Sequence, residues 1–193
     1  MANAIETKPT LIGALWPDRT SPAVRWITLM IIGSAFLALC AQITVPLYPV
    51  PFTMQTFGVL LIGMVFGPRL GAATVAAYVL EGTVGLPVYA GFSGGLHVLF
   101  GVTGGYLFGF VIAAWLVGML AERGWDRNVF TTAAAMLLGN IVLYVPGLIW
   151  LGAFIGAEEA ITGGLLPFII GDLLKLALAA VVLPSAWRLV RRI

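Results

Sequence analysis

Apolar residues run in long blocks along this chain, separated by short stretches in which proline, glycine and charge collect. Blocks of this length predict helices that cross lipid, at about 20 residues per crossing. Six are predicted, at about 24–45, 52–66, 70–84, 106–120, 129–155 and 166–190. Residues 1–23 carry Glu6, Lys8, Pro9, Pro17, Asp18, Arg19 and Pro22 and read as a polar tail. They do not read as a cleavable signal, because apolar material continues down the whole chain. Pro46, Pro49 and Pro51 fall within six residues, which predicts an ordered turn after the first helix. The blocks 52–66 and 70–84 are short for full crossings, so tilted or discontinuous helices are expected there, ending within protein or along a cavity. Gly85, Gly91, Gly94, Gly95, Gly101, Gly104 and Gly105 accompany Pro87 in 85–105, too much glycine for a continuous helix, and predict an ordered, partly re-entrant loop. Pro146 predicts a kink in the fifth helix.

Composition turns this pattern into a solvent assignment. Of 193 residues, 61% are hydrophobic and 9% charged, where a soluble domain has about 25% charged residues. A soluble fold is excluded, since so few charges cannot clothe a small protein's surface. The fold class expected is therefore an all-α integral membrane protein of six transmembrane helices, with a tail at 1–23 and one membrane domain at 24–193. No repeat at a fixed period divides it.

The position of charge says more than the net +2. With the N-terminus inside, the inner side receives Lys8, Arg19, Arg25, Arg69, Arg123, Arg127, Arg188, Arg191 and Arg192, nine of the ten Lys and Arg. The outer loops receive none. This is the positive-inside distribution, and it predicts that both termini are cytoplasmic. Trp16, Trp26, Trp125 and Trp187 then fall near the inner interface and Trp150 near the outer one, as aromatic belts do. Cys40, the single cysteine, lies in an apolar run and predicts packing, not redox chemistry.

The tenth cation, Lys175, lies inside the sixth helix with Asp172 three positions before it. Positions i and i+3 share a helix face, so acid and base point the same way. Each costs about 2.5–3.5 kcal/mol near the membrane centre if unpaired, so the pair is expected to face protein or a wet cavity. Two roles are open: a staple between helices, or a ligand site. Intramembrane charge favours the second. Lys175 brings three donors and the Asp172 carboxylate several acceptor positions, which is spare capacity for a ligand carrying both NH groups and carbonyl or carboxylate oxygens.

Other candidates gather on the same outer side. Thr53 and Gln55 open the second helix, Tyr89, Ser93, Gly94 and Gly95 lie in the glycine loop, and Tyr106 opens the fourth helix. Together they predict a pocket with aromatic and aliphatic walls, few polar groups, and glycines that admit close backbone approach. Glu81 reads equally as a solvated helix end or a site residue. His97, lacking a second histidine or a cysteine pair nearby, reads as a loop residue and not a metal ligand. The chain contains no phosphate-binding G-x-x-x-x-G-K-[ST], no H-E-x-x-H and no G-x-S-x-G, and only Asp172 is available where an intramembrane aspartyl protease needs two aspartates. Binding and movement are expected, not catalysis.

Four ordered segments narrow this further. Pro46-Leu47-Tyr48-Pro49-Val50-Pro51-Phe52-Thr53-Met54-Gln55-Thr56, Gly85-Leu86-Pro87-Val88-Tyr89-Ala90-Gly91, Thr103-Gly104-Gly105-Tyr106-Leu107 and Gly171-Asp172-Leu173-Leu174-Lys175 together resemble the BioY family, the biotin-binding S components of energy-coupling-factor (ECF) transporters. The resemblance runs from about Ala35 to the C-terminus. It implies an S-component-like six-helix fold in the bacterial cytoplasmic membrane, and capture of biotin from outside beneath the first and third loops. It also implies partners, namely a transmembrane coupling protein and a pair of cytoplasmic ATPases. ATP is then used by those subunits, this chain needs no cofactor, and no nucleic acid is among its partners. By the same resemblance Asp172 and Lys175 hold the ureido end of biotin, with Tyr106 and the Ser93-Gly94-Gly95 loop as pocket elements. Some relatives carry an arginine after Gly-Gly-Tyr for the valerate carboxylate, whereas Leu107 stands here, leaving loop NH groups, Ser93, Gln55 or His97 for that role. Ser34 and Ala38, with Ala35 beside them, fit the small-xxx-small spacing by which S components dock on the coupling protein, and fit internal packing nearly as well. Two further readings stay open from the residues alone: a scaffold subunit without a ligand, and an S component for another vitamin.

Overall fold

Helix is the rule along this chain because lipid offers backbone groups no partners, so each must be satisfied within its own segment. The computed structural model describes residues 9–16 and 21–190. The helices are α1 (Leu11–Leu15), α2 (Pro22–Gln42), α3 (Gln55–Phe66), α4 (Pro68–Thr83), α5 (Leu96–Leu99), α6 (Gly104–Glu122), α7 (Val129–Ile155), α8 (Ala157–Gly164) and α9 (Ile169–Val190). Two two-residue strands, β1 (Thr44–Val45) and β2 (Phe52–Thr53), pair antiparallel across the proline turn in the register Thr44↔Thr53.

Among the described residues, four helical stretches are long and apolar enough to cross a bilayer: Pro22–Gln42, Gly104–Glu122, Val129–Ile155 and the combined Ala157–Val190. Helices α3 and α4, at 12 and 16 residues, are shorter than a crossing, as the two short apolar blocks foretold. Gly67, at φ 84, breaks one from the other, and Pro68 starts α4 at a position where a missing N–H costs nothing.

The expected boundaries shift in several places. The first helix ends at Gln42 and the second begins at Gln55, because Thr44–Val45 and Phe52–Thr53, Thr53 among them, pair as strands instead. The segment expected as tail contains α1, started by the Thr10 hydroxyl accepting from Gly13 N–H, with Leu11 buried. The segment 157–164, expected as a loop, is α8. The sixth helix begins after a 3-10 turn at Leu166–Phe168. Pro146 lies within a continuous α7. Lys8, Arg19, Arg191 and Arg192, counted among the inner cations, lie outside the described residues.

Helix α6 is the spine of the bundle, packed against α3 and α4 on one side and α7 on the other. Apolar side chains gain little from leaving lipid for protein, so close backbone approach carries such contacts. A Cβ at Gly63 would stand 2.5 Å from Ala114 O, and one at Gly109 would stand 2.6 Å from Leu143 O. Only glycine permits α6 to lie against both neighbours at these points. Leu37, Val59, Met64, Tyr78, Val117, Met136 and Leu143 fill the interior, each 1% exposed or less.

The end of the bundle carrying Arg123 and Arg127 is tied by a polar cluster. Asp126, fully buried, accepts a hydrogen bond from Trp187 Nε1, and the Arg127 guanidinium lies 4.4 Å from the centre of the Trp187 ring. Arg127 Nη2 also donates to Pro9 O at 3.2 Å. Trp187 is 5% exposed, its indole N–H committed to Asp126 within the bundle.

Candidate functional site

At the opposite end of the bundle, the β-hairpin, the 85–103 loop and the ends of α3, α6, α7, α8 and α9 surround a cavity of about 230 Å³. The hairpin contributes Val50, Pro51 and Thr53, α3 contributes Gln55 and Thr56, and the loop contributes Tyr89, Ala90, Ser93, Val98 and Thr103. Tyr106, Leu107 and Phe110 face it from α6, Tyr144 from α7, Gly164 from α8, and Phe168 and Lys175 close the far wall. Aromatic rings and aliphatic groups make up most of this wall. Lys175 is the charged residue among the described lining residues.

The lysine is fully engaged. Its Nζ donates to Thr53 O at 2.7 Å, Thr56 Oγ1 at 2.8 Å and Asp172 Oδ1 at 2.9 Å, and sits 4.0 Å from the Phe52 ring centre. Three protons meet three acceptors, which corrects the expectation of spare donors on Lys175. Any further group that bonds to this ammonium must displace Thr53 O, Thr56 Oγ1 or Asp172 Oδ1. Asp172 is also differently placed from the expectation. It stands behind Lys175 and does not line the cavity; its Oδ1 accepts from Thr56 Oγ1 at 3.2 Å as well as from Lys175, and its Oδ2 accepts from Tyr144 OH at 2.5 Å. The carboxylate therefore neutralises and orients the lysine and fixes the hydroxyl of Tyr144, a residue of the cavity wall.

The outer-side candidates divide in the same way. Gln55 lines the cavity with its amide spanning two partners: Oε1 accepts from Thr53 Oγ1 at 3.0 Å and Nε2 donates to Tyr78 OH at 2.7 Å. Tyr106 presents its ring and donates its hydroxyl to Gly164 O at 3.0 Å. Tyr89 is 2% exposed; its hydroxyl donates to Val79 O at 2.6 Å, and burial pushes that hydroxyl's pKa upward. Ser93 lines the cavity and donates to Ala90 O at 2.8 Å. Gly94 and Gly95 do not line it. A Cβ at Gly94 would meet Leu86 O at 2.2 Å, and Gly95 takes φ 105, so both glycines shape the loop. His97 is exposed and away from the wall. Glu81 is half-buried near the end of α4 and is likewise not a lining residue. Leu107 does line it, so an apolar group stands where the resemblance put an arginine in some relatives.

Ser34 faces inward on α2, 4% exposed, with its hydroxyl on Ile31 O, which corrects its expected place on a docking surface. Ala38 is half-buried, and Ile31, Ile32, Ala35 and Leu39 make the outward face. The residues that sequence reasoning passed over are Tyr144, Thr56, Thr103, Phe110 and Phe168. Tyr144 carried a faint signal, a hydroxyl within a run of aliphatic residues, and Thr56 lay unremarked in the Thr-Met-Gln-Thr segment.

Comparison with known proteins identifies the family. The family model described as BioY family matches residues 12–192. The chain is similar to the probable biotin transporter BioY of Pyrococcus horikoshii, 40% identical over 156 residues that make up 81% of this chain and 92% of the relative. It is also similar to the biotin transporter BioY of Thermotoga maritima, 42% identical over 152 residues, 78% of this chain and 89% of the relative. Among solved structures it resembles the S-component for biotin from an ECF-type ABC transporter, with a TM-score of 0.76 and 27% identity, covering 88% of this chain and 95% of that one.

Proposed function

Because the chain belongs to the BioY family, matched over residues 12–192, we propose that it is the biotin-binding S component of an ECF-type uptake transporter. The observation that carries this reading is Lys175, a buried ammonium held by Asp172 in the wall of a 230 Å³ cavity otherwise made of rings, aliphatic groups and neutral hydrogen-bonding side chains. Biotin has a compact polar ureido ring system and an apolar chain ending in a carboxylate. The ureido end meets Lys175, Thr56 and Tyr144, with Thr53 O and Thr56 Oγ1 as the lysine contacts it replaces. The chain lies along Tyr106, Leu107 and Phe110. With Leu107 offering no charge, the carboxylate is met by Ser93 and loop N–H groups under the cap.

The same reading makes residues 24–193 one membrane domain with six crossings, α3 and α4 serving as short ones, and both termini cytoplasmic. It sits in the cytoplasmic membrane and hands biotin inward together with a transmembrane coupling protein and two ATPases. The coupling protein meets the outward face of α2 around Ala35, flanked by Ile31, Ile32 and Leu39.

Calorimetry of the purified, detergent-solubilised protein with biotin tests the assignment, alongside Lys175→Ala and a thermal melt. Tight saturable binding, lost in a variant that still melts cooperatively, is the expected result. A folded wild-type protein that takes up no biotin overturns it.

A further inference from the structure

The turn that covers the outer mouth of the cavity is held at both ends by one side chain from a helix that does not line the cavity. Tyr89, Ala90 and Ser93 face inward, and between them the 3-10 turn Ala90–Phe92 carries the chain over the opening. Gln42, the last residue of α2, reaches this turn from the side. Its Nε2 donates to Tyr89 O at 3.1 Å and to Ala38 O at 3.3 Å, while its Oε1 accepts from Phe92 N–H at 3.1 Å.

The far end of this clasp is strained. Phe92 takes φ 56, the left-handed region that a side chain with a Cβ adopts only where its surroundings impose it. Its ring is 70% exposed, so packing does not impose it. The bond from its N–H to Gln42 holds it there, together with the Tyr89 N–H to Ser93 O bond, 3.0 Å, that closes the turn. The near end is fixed independently, because Tyr89 is anchored through its hydroxyl to Val79 O and its ring stands edge-on to Tyr78. A turn anchored at Tyr89 and strained at Phe92 opens by releasing Phe92 from Gln42.

We propose that Gln42 is a positioning residue for the cap: its amide clasps the 89–93 turn over the cavity and sets how long a bound ligand stays. The clasp rests on the ligand-binding reading of the cavity. Both bonds act on the closed turn, so their loss speeds exit and entry together, whereas a mere packing defect lowers the fraction of active protein and leaves the exit rate of the remainder unchanged.

The experiment measures biotin association and dissociation by stopped flow for wild type, Gln42→Leu and Gln42→Glu. The leucine keeps the bulk and removes both bonds. The glutamate keeps the acceptor for Phe92 N–H and loses the donor to Tyr89 O. Dissociation is expected to rise about tenfold in Gln42→Leu, the scale of two ordinary hydrogen bonds, and less in Gln42→Glu, with melting temperatures unchanged. A second arm needs no ligand: amide exchange at Phe92 is expected to quicken in Gln42→Leu, while Gly95 N–H, bonded to Gly82 O at 2.6 Å, stays protected. Unchanged exchange at Phe92, dissociation within twofold of wild type, or binding lost only in step with folding overturns the clasp. Absent biotin binding by wild type overturns the proposed function, and the exchange arm then decides the clasp alone.

Discussion

Lys175 and Asp172 form one buried pair on which both stability and the proposed recognition of biotin depend. Removing the lysine alone leaves a carboxylate in the bundle with its cation gone, a loss on the order of 3 kcal/mol or more. Lys175→Met is therefore expected to lower the melting temperature and abolish biotin binding. The double variant Asp172→Asn with Lys175→Met is expected to recover melting without recovering binding, which separates the two roles in one pair of measurements. Tyr144→Phe removes the 2.5 Å bond to Asp172 Oδ2, for a cost of about 1–3 kcal/mol. It is expected to weaken biotin affinity as well as stability, since Tyr144 lines the cavity and its hydroxyl holds the carboxylate that orients Lys175. The lysine and aspartate were legible in the sequence because charge in an apolar block stands out and their spacing fixes a common face. The engagement of all three lysine protons was not, because Thr53 and Thr56 come from more than a hundred residues away. Nor was the position of Asp172 behind its partner, since i and i+3 spacing gives a face and not a depth.

At the level of elements, proline and glycine marked the breaks and apolar length marked the helices, so α7 emerges with its expected bounds, Val129–Ile155. Element ends with weaker punctuation were less legible. The α8 segment carries Glu158 and Glu159 in its first turn and reads locally as a polar connection, although Ala160 is buried against the bundle. What the sequence could not reveal is which glycines serve contact and which serve conformation. Gly109 serves contact: Gly109→Val drives a side chain into the Leu143 backbone. Because that neighbour cannot swing aside, the expected loss is about 3 kcal/mol, read as a lower melting temperature. Gly152 provides the control on the partner helix. A Cβ there meets nothing nearer than 3.8 Å, so Gly152→Ala is expected to melt at or slightly above wild type, as alanine favours helix.

For the whole molecule, orientation follows from asymmetry. Arg25, Arg69, Arg123, Arg127 and Arg188 fall at one end of the helices, while the cavity, the hairpin and the cap loop occupy the other, where the loops carry no Lys or Arg. The proposed insertion, with the basic end in the cytoplasm, accords with the preference of basic loops and with the proposed capture of biotin from outside. The prediction concerns two exposed residues, Glu158 at the cavity end and Arg123 at the basic end. In a Cys40→Ala background, a membrane-impermeant maleimide applied to intact cells is expected to label Glu158→Cys and spare Arg123→Cys until the membrane is permeabilised. The reverse pattern would put the cavity mouth on the cytoplasmic side, where Lys175 and its cap could not receive biotin from outside. Labelling of both residues in intact cells would show that α7, the one long helix between Arg123 and Glu158, does not carry the chain across the membrane.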